Sequence, residues 1–120
     1  MTRINCVPVQ ELHPKHLVAE YRELPRVFKL AEAAYKKRLA IKAPEKYTLG
    51  SGHVKFFYSR LGYCKIRFQN LVAEMISRGY SPNFVATPEV DLPPSWYGDW
   101  SPDDEALSIN RKRIAERLPK

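Results

Sequence analysis

Apolar side chains recur at steps of three and four along one stretch of this chain: Leu17, Tyr21, Leu24, Phe28, Ala31 and Tyr35. That period belongs to an α-helix burying one face, and it excludes a half-buried strand, whose side chains alternate faces at every residue. Pro14 suits a first helical turn and His13 a cap, so the spacing predicts a long helix over 14–38. Pro25 falls inside it with no amide to offer the Tyr21 carbonyl, and a bend is expected there. A second set, Cys64, Phe68, Leu71, Val72, Met75 and Ile76, predicts a helix over 62–78 that Gly79 stops. Ser101 as cap, Pro102 in the first turn, then Asp103, Asp104 and Glu105 mark the start of a third. Its expected inward face is Leu107, Ile114 and Leu118, with Arg111, Lys112, Arg113 and Arg117 loading its end.

The remaining segments read as connections. Residues 1–12 are irregular around Pro8, and 40–52 hold Pro44 and the Gly50-Ser51-Gly52 turn. His53 to Tyr58 fits either a strand or a short helix. Residues 80–100 carry Pro82, Pro88, Pro93 and Pro94 with Trp96, Tyr97 and Trp100, and read as a long ordered loop pinned by aromatic rings. A loop of that length in a compact domain points to function. With no strand alternation anywhere, the expected fold is all-α: one compact domain over 1–120 built on about three main helices.

Composition narrows the partners. Twenty Lys and Arg against thirteen Asp and Glu give a net charge of +7, which favours a polyanion, either nucleic acid or an acidic membrane surface. No apolar run approaches the roughly 20 residues of a membrane span, and no signal-peptide hydrophobic region opens the chain. A cytoplasmic protein, not secreted and not membrane-bound, is expected. Cys6 and Cys64 form no CxxC pair and read as small buried thiols in a reducing compartment.

One polar constellation stands out. At about 100° per residue, His16, Ala19, Arg22, Glu23 and Arg26 share a sector opposite the apolar set. Arg22 and Arg26, one turn apart, are placed to clamp neighbouring phosphate oxygens, and Glu23 between them to steer protons or stabilise a cationic sugar-like transition state. Taken alone, such a face is more often plain solvating charge. His13, His16 and Glu20 do not complete a metal site, since His53 is the only other histidine. No metal and no cofactor are expected. Thr2 is small enough to direct removal of Met1, leaving a free α-amine beside Arg3. Such an amine has a reference pKa of about 7.7–8.0, and neighbouring guanidinium groups lower it. That is the condition for attack on an electrophilic carbon and Schiff-base formation.

These residues lie in strings that resemble the pyrimidine-dimer DNA glycosylase and abasic-site lyase family of the bacteriophage endonuclease V type. MTRIN at 1–5, HLVAEYRELPRVF at 16–28, GHVKFFYSRL at 52–61 and AEMISRG at 73–79 carry the likeness. The resemblance implies a compact three-helix fold with the N-terminal segment lying between helices. It implies Thr2 as nucleophile and Glu23 as the essential acid. Arg3, Arg22, Arg26, Arg113 and Arg117 would contact DNA, and His16 is a further phosphate contact on the charged face. The implied reaction is excision of a cyclobutane dimer followed by β-elimination, on double-stranded DNA that is kinked with a base extruded, by a monomer. Two departures bear on selectivity: phage relatives continue past Leu118-Pro119-Lys120 into an aromatic-rich tail, and the connection after the first helix is shorter here. Catalysis should survive both, with activity at abasic sites made more prominent. A binding module of the same fold without chemistry, and an RNA-binding protein using the basic helices, are the alternatives.

Overall fold

His13 caps the first helix through its ring: Nδ1 accepts the Lys15 backbone N–H at 3.1 Å, with Pro14 in the first turn behind it. The computed structural model describes residues 3–38 and 43–118. Helix α1, Pro14–Glu23, ends where Pro25 withholds its amide, and α2, Arg26–Lys36, begins directly after it. Around the break the bonding tightens to three-residue steps, Val27 N–H to Leu24 C=O at 3.0 Å and Phe28 N–H to Pro25 C=O at 3.2 Å. The predicted long helix is therefore two helices. Leu17, Tyr21, Leu24, Phe28 and Ala31 are buried as expected, whereas Tyr35 is 43% exposed and only meets Trp96 edge-on.

The ambiguous stretch at 53–58 resolves into a single helical turn, α3, His53–Phe56, entered through Gly52 in the left-handed region at φ +90°. Helix α4, Leu61–Ser77, packs against α1 and buries Cys64, Phe68, Leu71, Val72 and Met75. Ile76, expected inward, is 57% exposed, because the buried face of α4 runs through Arg67 instead. Helix α5, Asp104–Glu116, is capped by Asp103, whose carboxylate accepts the Ala106 N–H at 2.8 Å; the expected cap, Ser101, lies outside the helix. The fully inward residues of α5 are Ala106 and Asn110, while Leu107 and Ile114 are half-buried and Leu118 is exposed.

Short 3-10 turns at Val9–Glu11 and Pro94–Trp96 complete the elements. Among the described residues there is no strand, only an isolated bridge between Arg60 and Tyr97. One core joins all five helices, with Leu17, Leu24, Phe28, Phe56, Phe57, Leu61, Phe68 and Leu71 buried at its centre. The loop over 80–100 folds back onto it: Trp100 stacks on Tyr47 at 5.7 Å and meets Phe56, Phe57 and Tyr63 edge-on. Its last part lies so close over α4 that a Cβ at Gly62 would meet the Tyr97 carbonyl oxygen at 2.5 Å. Cys6 and Cys64 are free and buried, as expected of small core thiols; burial pushes the Cys6 thiol up to about 12. No helix of the described residues is long and apolar enough to cross a membrane.

Candidate active site

A buried backbone segment without helix or sheet partners must have its polar groups satisfied some other way. Residues 4–7 are such a segment, all buried, and side chains from three helices and a loop supply the partners. Asn110 Oδ1 on α5 accepts both the Cys6 N–H at 2.7 Å and the Val7 N–H at 3.1 Å. His53 Nε2 on α3 accepts the Ile4 N–H at 2.8 Å, while the Tyr47 hydroxyl donates to the Ile4 carbonyl at 3.0 Å. Tyr63 and Arg67 on α4 donate to the carbonyls of Asn5 and Val7.

A fully buried ion pair anchors this arrangement. Arg67 meets Glu20 through two hydrogen bonds, Nε to Oε2 at 2.8 Å and Nη2 to Oε1 at 3.0 Å. Burial alone would lower the Arg67 pKa, but the charge and hydrogen bonds of Glu20 outweigh it and hold the guanidinium above its usual range. Because Glu20 is then an acceptor only, Asn5 must turn its amide NH2 toward it, at 2.8 Å, and its oxygen toward Asn110 Nδ2, also at 2.8 Å. The Asn110 oxygen is left for the amides of Cys6 and Val7. One carboxylate thus fixes the sense of every amide in the chain of bonds.

Where this segment emerges, a cavity of about 490 Å³ opens, lined by Arg3, Asn5, His16, Ala19, Glu20, Glu23, Ile114 and Arg117. Four of the predicted site residues, Arg3, His16, Glu23 and Arg117, are therefore brought together from three parts of the chain. Burial first, then the charges of Arg113 and Arg117, hold Arg3 below the usual arginine range, with Tyr47 and Glu23 pulling the other way. Arg3 still remains a cation at any working pH. His16 Nε2 lies 3.2 Å from the Arg117 carbonyl and must donate to it, which leaves Nδ1 to accept in the neutral ring. Among the described residues, neither Arg3 Nε nor His16 Nδ1, both buried atoms, has a hydrogen-bond partner.

The other predicted residues are placed differently. Arg113 is half-buried, close enough to act on Arg3, and held 3.7 Å from Glu116. Arg22 and Arg26 are exposed and outside the cavity lining. Thr2 lies outside the described residues. Sequence reasoning missed Asn5, Glu20, Arg67, Asn110, Tyr47 and His53. A signal existed for two of them: Glu20 and Arg67 each sit one residue before a buried aromatic, Tyr21 and Phe68, on the edge of their helices' apolar faces. No group of three or more His, Cys, Asp or Glu able to hold a metal ion occurs among the described residues.

The arrangement sets a carboxylate among cations at the mouth of a pinned N-terminal segment, in a cavity wide enough for a sugar and its phosphate. A family profile described as pyrimidine dimer DNA glycosylase matches residues 1–87, which include Arg3, His16, Arg22, Glu23 and Arg26 and stop short of Arg113 and Arg117. The match spans the N-terminal segment and α1 to α4, so the chain belongs to the pyrimidine dimer DNA glycosylase family.

Proposed function

We propose that this chain excises pyrimidine dimers from double-stranded DNA through a Schiff base at the Thr2 α-amine and then nicks the strand at the resulting site. The convergence of Arg3, His16, Glu23 and Arg117 on one cavity carries this reading. The amine attacks C1′ of the damaged nucleotide while the C1′–N bond breaks and the base departs with the bonding electrons. Loss of the amine proton and opening of the sugar ring give an imine. Removal of a C2′ proton then expels the 3′ phosphate by breaking the C3′–O bond, and water releases the enzyme. These steps balance without metal or cofactor.

Glu23 is the group suited to stabilise the cationic sugar and to move the protons, because its carboxylate lines the cavity beside Arg3. Arg3 and Arg117 line the cavity and Arg113 lies near enough to act on Arg3, a set of cations suited to a phosphate, while Arg22 and Arg26 are exposed and suited to hold the flanking backbone. A bound phosphate would also supply an acceptor for Arg3 Nε. Trp96, Tyr97 and Trp100 pack against the core and none lines the cavity, which favours prominent activity at plain abasic sites. We take the enzyme to work as a monomer in the cytoplasm.

Sodium borohydride trapping tests the proposal. Wild-type protein with a free Thr2 amine should form a covalent complex with abasic duplex DNA in the presence of EDTA. A residual N-terminal tag should abolish it without altering helicity. Glu23→Gln should lose strand nicking and keep DNA affinity, and affinity should fall steeply with salt, with a slope of about −0.9 per neutralised phosphate. Absence of any adduct from the untagged protein overturns the proposal.

A further inference from the structure

Ile4 is the last residue before the cavity whose two backbone groups are both gripped by side chains. Its N–H donates to His53 Nε2 at 2.8 Å and its carbonyl accepts from the Tyr47 hydroxyl at 3.0 Å. Neither grip belongs to regular secondary structure, so the point from which Arg3 leaves the core depends on two rings. Those rings are themselves fixed: they pack edge-on at 5.5 Å, and His53 Nδ1 lies 2.8 Å from the Thr48 carbonyl, to which it must donate. That contact sets the tautomer and turns the lone pair of Nε2 toward Ile4. His53 and Tyr47 are buried, outside the cavity lining, and used by no step of the proposed chemistry.

We propose that His53, in its neutral Nδ1–H form and together with Tyr47, is a positioning residue for imine formation: it fixes the backbone at Ile4, two residues along the chain from Thr2. The inference rests on the reading that this amine is the nucleophile. A clamp made by an imidazole lone pair is conditional on pH. Protonation would set an N–H against the Ile4 N–H and remove the bond, and the segment would be held by Tyr47 alone. Burial, and after it the Arg3 charge, lower the His53 pKa against the opposing Thr48 carbonyl, so the clamp is intact at neutral pH. Arg3 and Tyr47 are the charged and titratable groups facing the ring; burial holds the Tyr47 phenol well above its usual range and therefore neutral.

The test measures the single-turnover rate of borohydride-trapped adduct on abasic duplex, with DNA affinity and helicity measured alongside, for wild type, His53→Phe, His53→Gln and Tyr47→Phe. His53→Phe keeps a flat ring among Phe57 and Tyr47 and removes both nitrogens. It should slow adduct formation by about tenfold or more with DNA affinity unchanged, since small displacements of a reacting group carry penalties of that order. His53→Gln, which restores an acceptor, should recover part of the rate. The ratio of wild-type to His53→Phe rates should shrink as pH falls from neutral through and below the ordinary imidazole range, because the wild type loses its own clamp while amine protonation cancels between the two. Tyr47→Phe should also be slower, with a ratio to wild type that does not shrink, and it carries the test should His53→Phe fail to fold. Full-rate adduct from folded variants overturns the clamp while leaving the amine chemistry standing. A rate loss that tracks loss of helicity and stays constant with pH also overturns it. A wild type that forms no adduct removes the nucleophile reading and this inference with it.

Discussion

Residues 4–7 and the loop over 80–92 both run without helix or strand, yet opposite physics holds them. The N-terminal segment is fully buried, and hydrogen bonds from Asn110, His53, Tyr47, Tyr63 and Arg67 define it atom by atom. The loop is largely exposed, and two side chains secure it: the Tyr21 hydroxyl on α1 donates to the Phe84 carbonyl at 2.7 Å and accepts the Phe84 N–H at 2.9 Å, and the Glu32 carboxylate on α2 accepts the Asp91 N–H at 2.7 Å. Tyr21 also stacks between Phe84 at 4.5 Å and Phe68 at 5.5 Å. Buried irregular backbone has no water to fall back on, so its geometry is as strict as its polar partners make it. Exposed irregular backbone can exchange each lost bond for water. Placement of a reacting group belongs to the first kind of segment.

The largest test of that difference is to break the ion pair under the N-terminal segment. Arg67→Met leaves Glu20 as a buried charge without its partner and frees the Val7 carbonyl. A loss of about 3–5 kcal/mol in urea unfolding is expected. The double variant with Glu20→Leu should recover much of it, because the pair's desolvation cost disappears together with its attraction. A single variant within a few tenths of a kcal/mol of wild type would show that water reaches Glu20.

Next comes Asn110→Ala, which takes the acceptor from two buried amides at once and the donor from Asn5. About 1–3 kcal/mol of stability should go, as each unsatisfied buried group carries its desolvation penalty. Asn110→Asp keeps the acceptors for Cys6 and Val7 but turns an oxygen toward Asn5, whose own orientation Glu20 fixes. It should fail to rescue near neutral pH, a result that size or helix propensity alone does not predict.

These residues also explain what the sequence could and could not disclose. Helix α1 was legible because Leu17, Tyr21 and Leu24 repeat at helical steps, and the break at Pro25 because proline lacks an amide. The cap of α5 moved from Ser101 to Asp103 because several capping residues stand together there, and only one carboxylate reaches the Ala106 amide. Tyr35 and Ile76 fit the period of their helices, but a period does not say where the neighbouring element stops covering the face. At the site, charge and spacing nominated His16 and Glu23, the family resemblance added Arg3 and Arg117, and the cavity unites all four. The same reasoning grouped Arg22 and Arg26 with Glu23, although neither arginine lines that cavity. Most of the network beneath was hidden, because Asn5 and Asn110 look like surface residues until the helices enclose them, and the one signal for Glu20 and Arg67 was their place beside a buried aromatic.

Acid should separate the two segments more gently than mutation does. His53 has a folded pKa below its ordinary value of 6.5, lowered by burial and then by Arg3. Its contribution is therefore complete above the ordinary imidazole range and is lost as pH falls through the depressed folded value. One buried acceptor bond is at stake, about 0.5–1.5 kcal/mol. Amide exchange corrected for intrinsic rate should show Ile4 losing protection as pH falls through and below the ordinary imidazole range while Phe84 does not respond. His53→Gln should abolish the pH dependence.

The smallest effect is expected on the loop itself. Tyr21→Phe removes both hydrogen bonds to Phe84 but retains the ring that stacks against Phe68 and Phe84. Because Phe84 is 43% exposed, water can satisfy its freed amide and carbonyl, so global stability should fall by only about 0.5–1 kcal/mol. Protection should fall at Phe84 and its neighbours and stay unchanged at Ile4, Cys6 and Val7. Tyr21→Leu, which removes the stack as well, should cost more and expose the flank of Phe68. If Tyr21→Phe instead loosens Cys6 and Val7, the phenol transmits strain across α1 to Glu20, and the two segments are one cooperative unit. Independent responses would mean that α1 supports two separate devices, with Glu20 on the face that fixes the N-terminal segment and Tyr21 on the face that holds the loop.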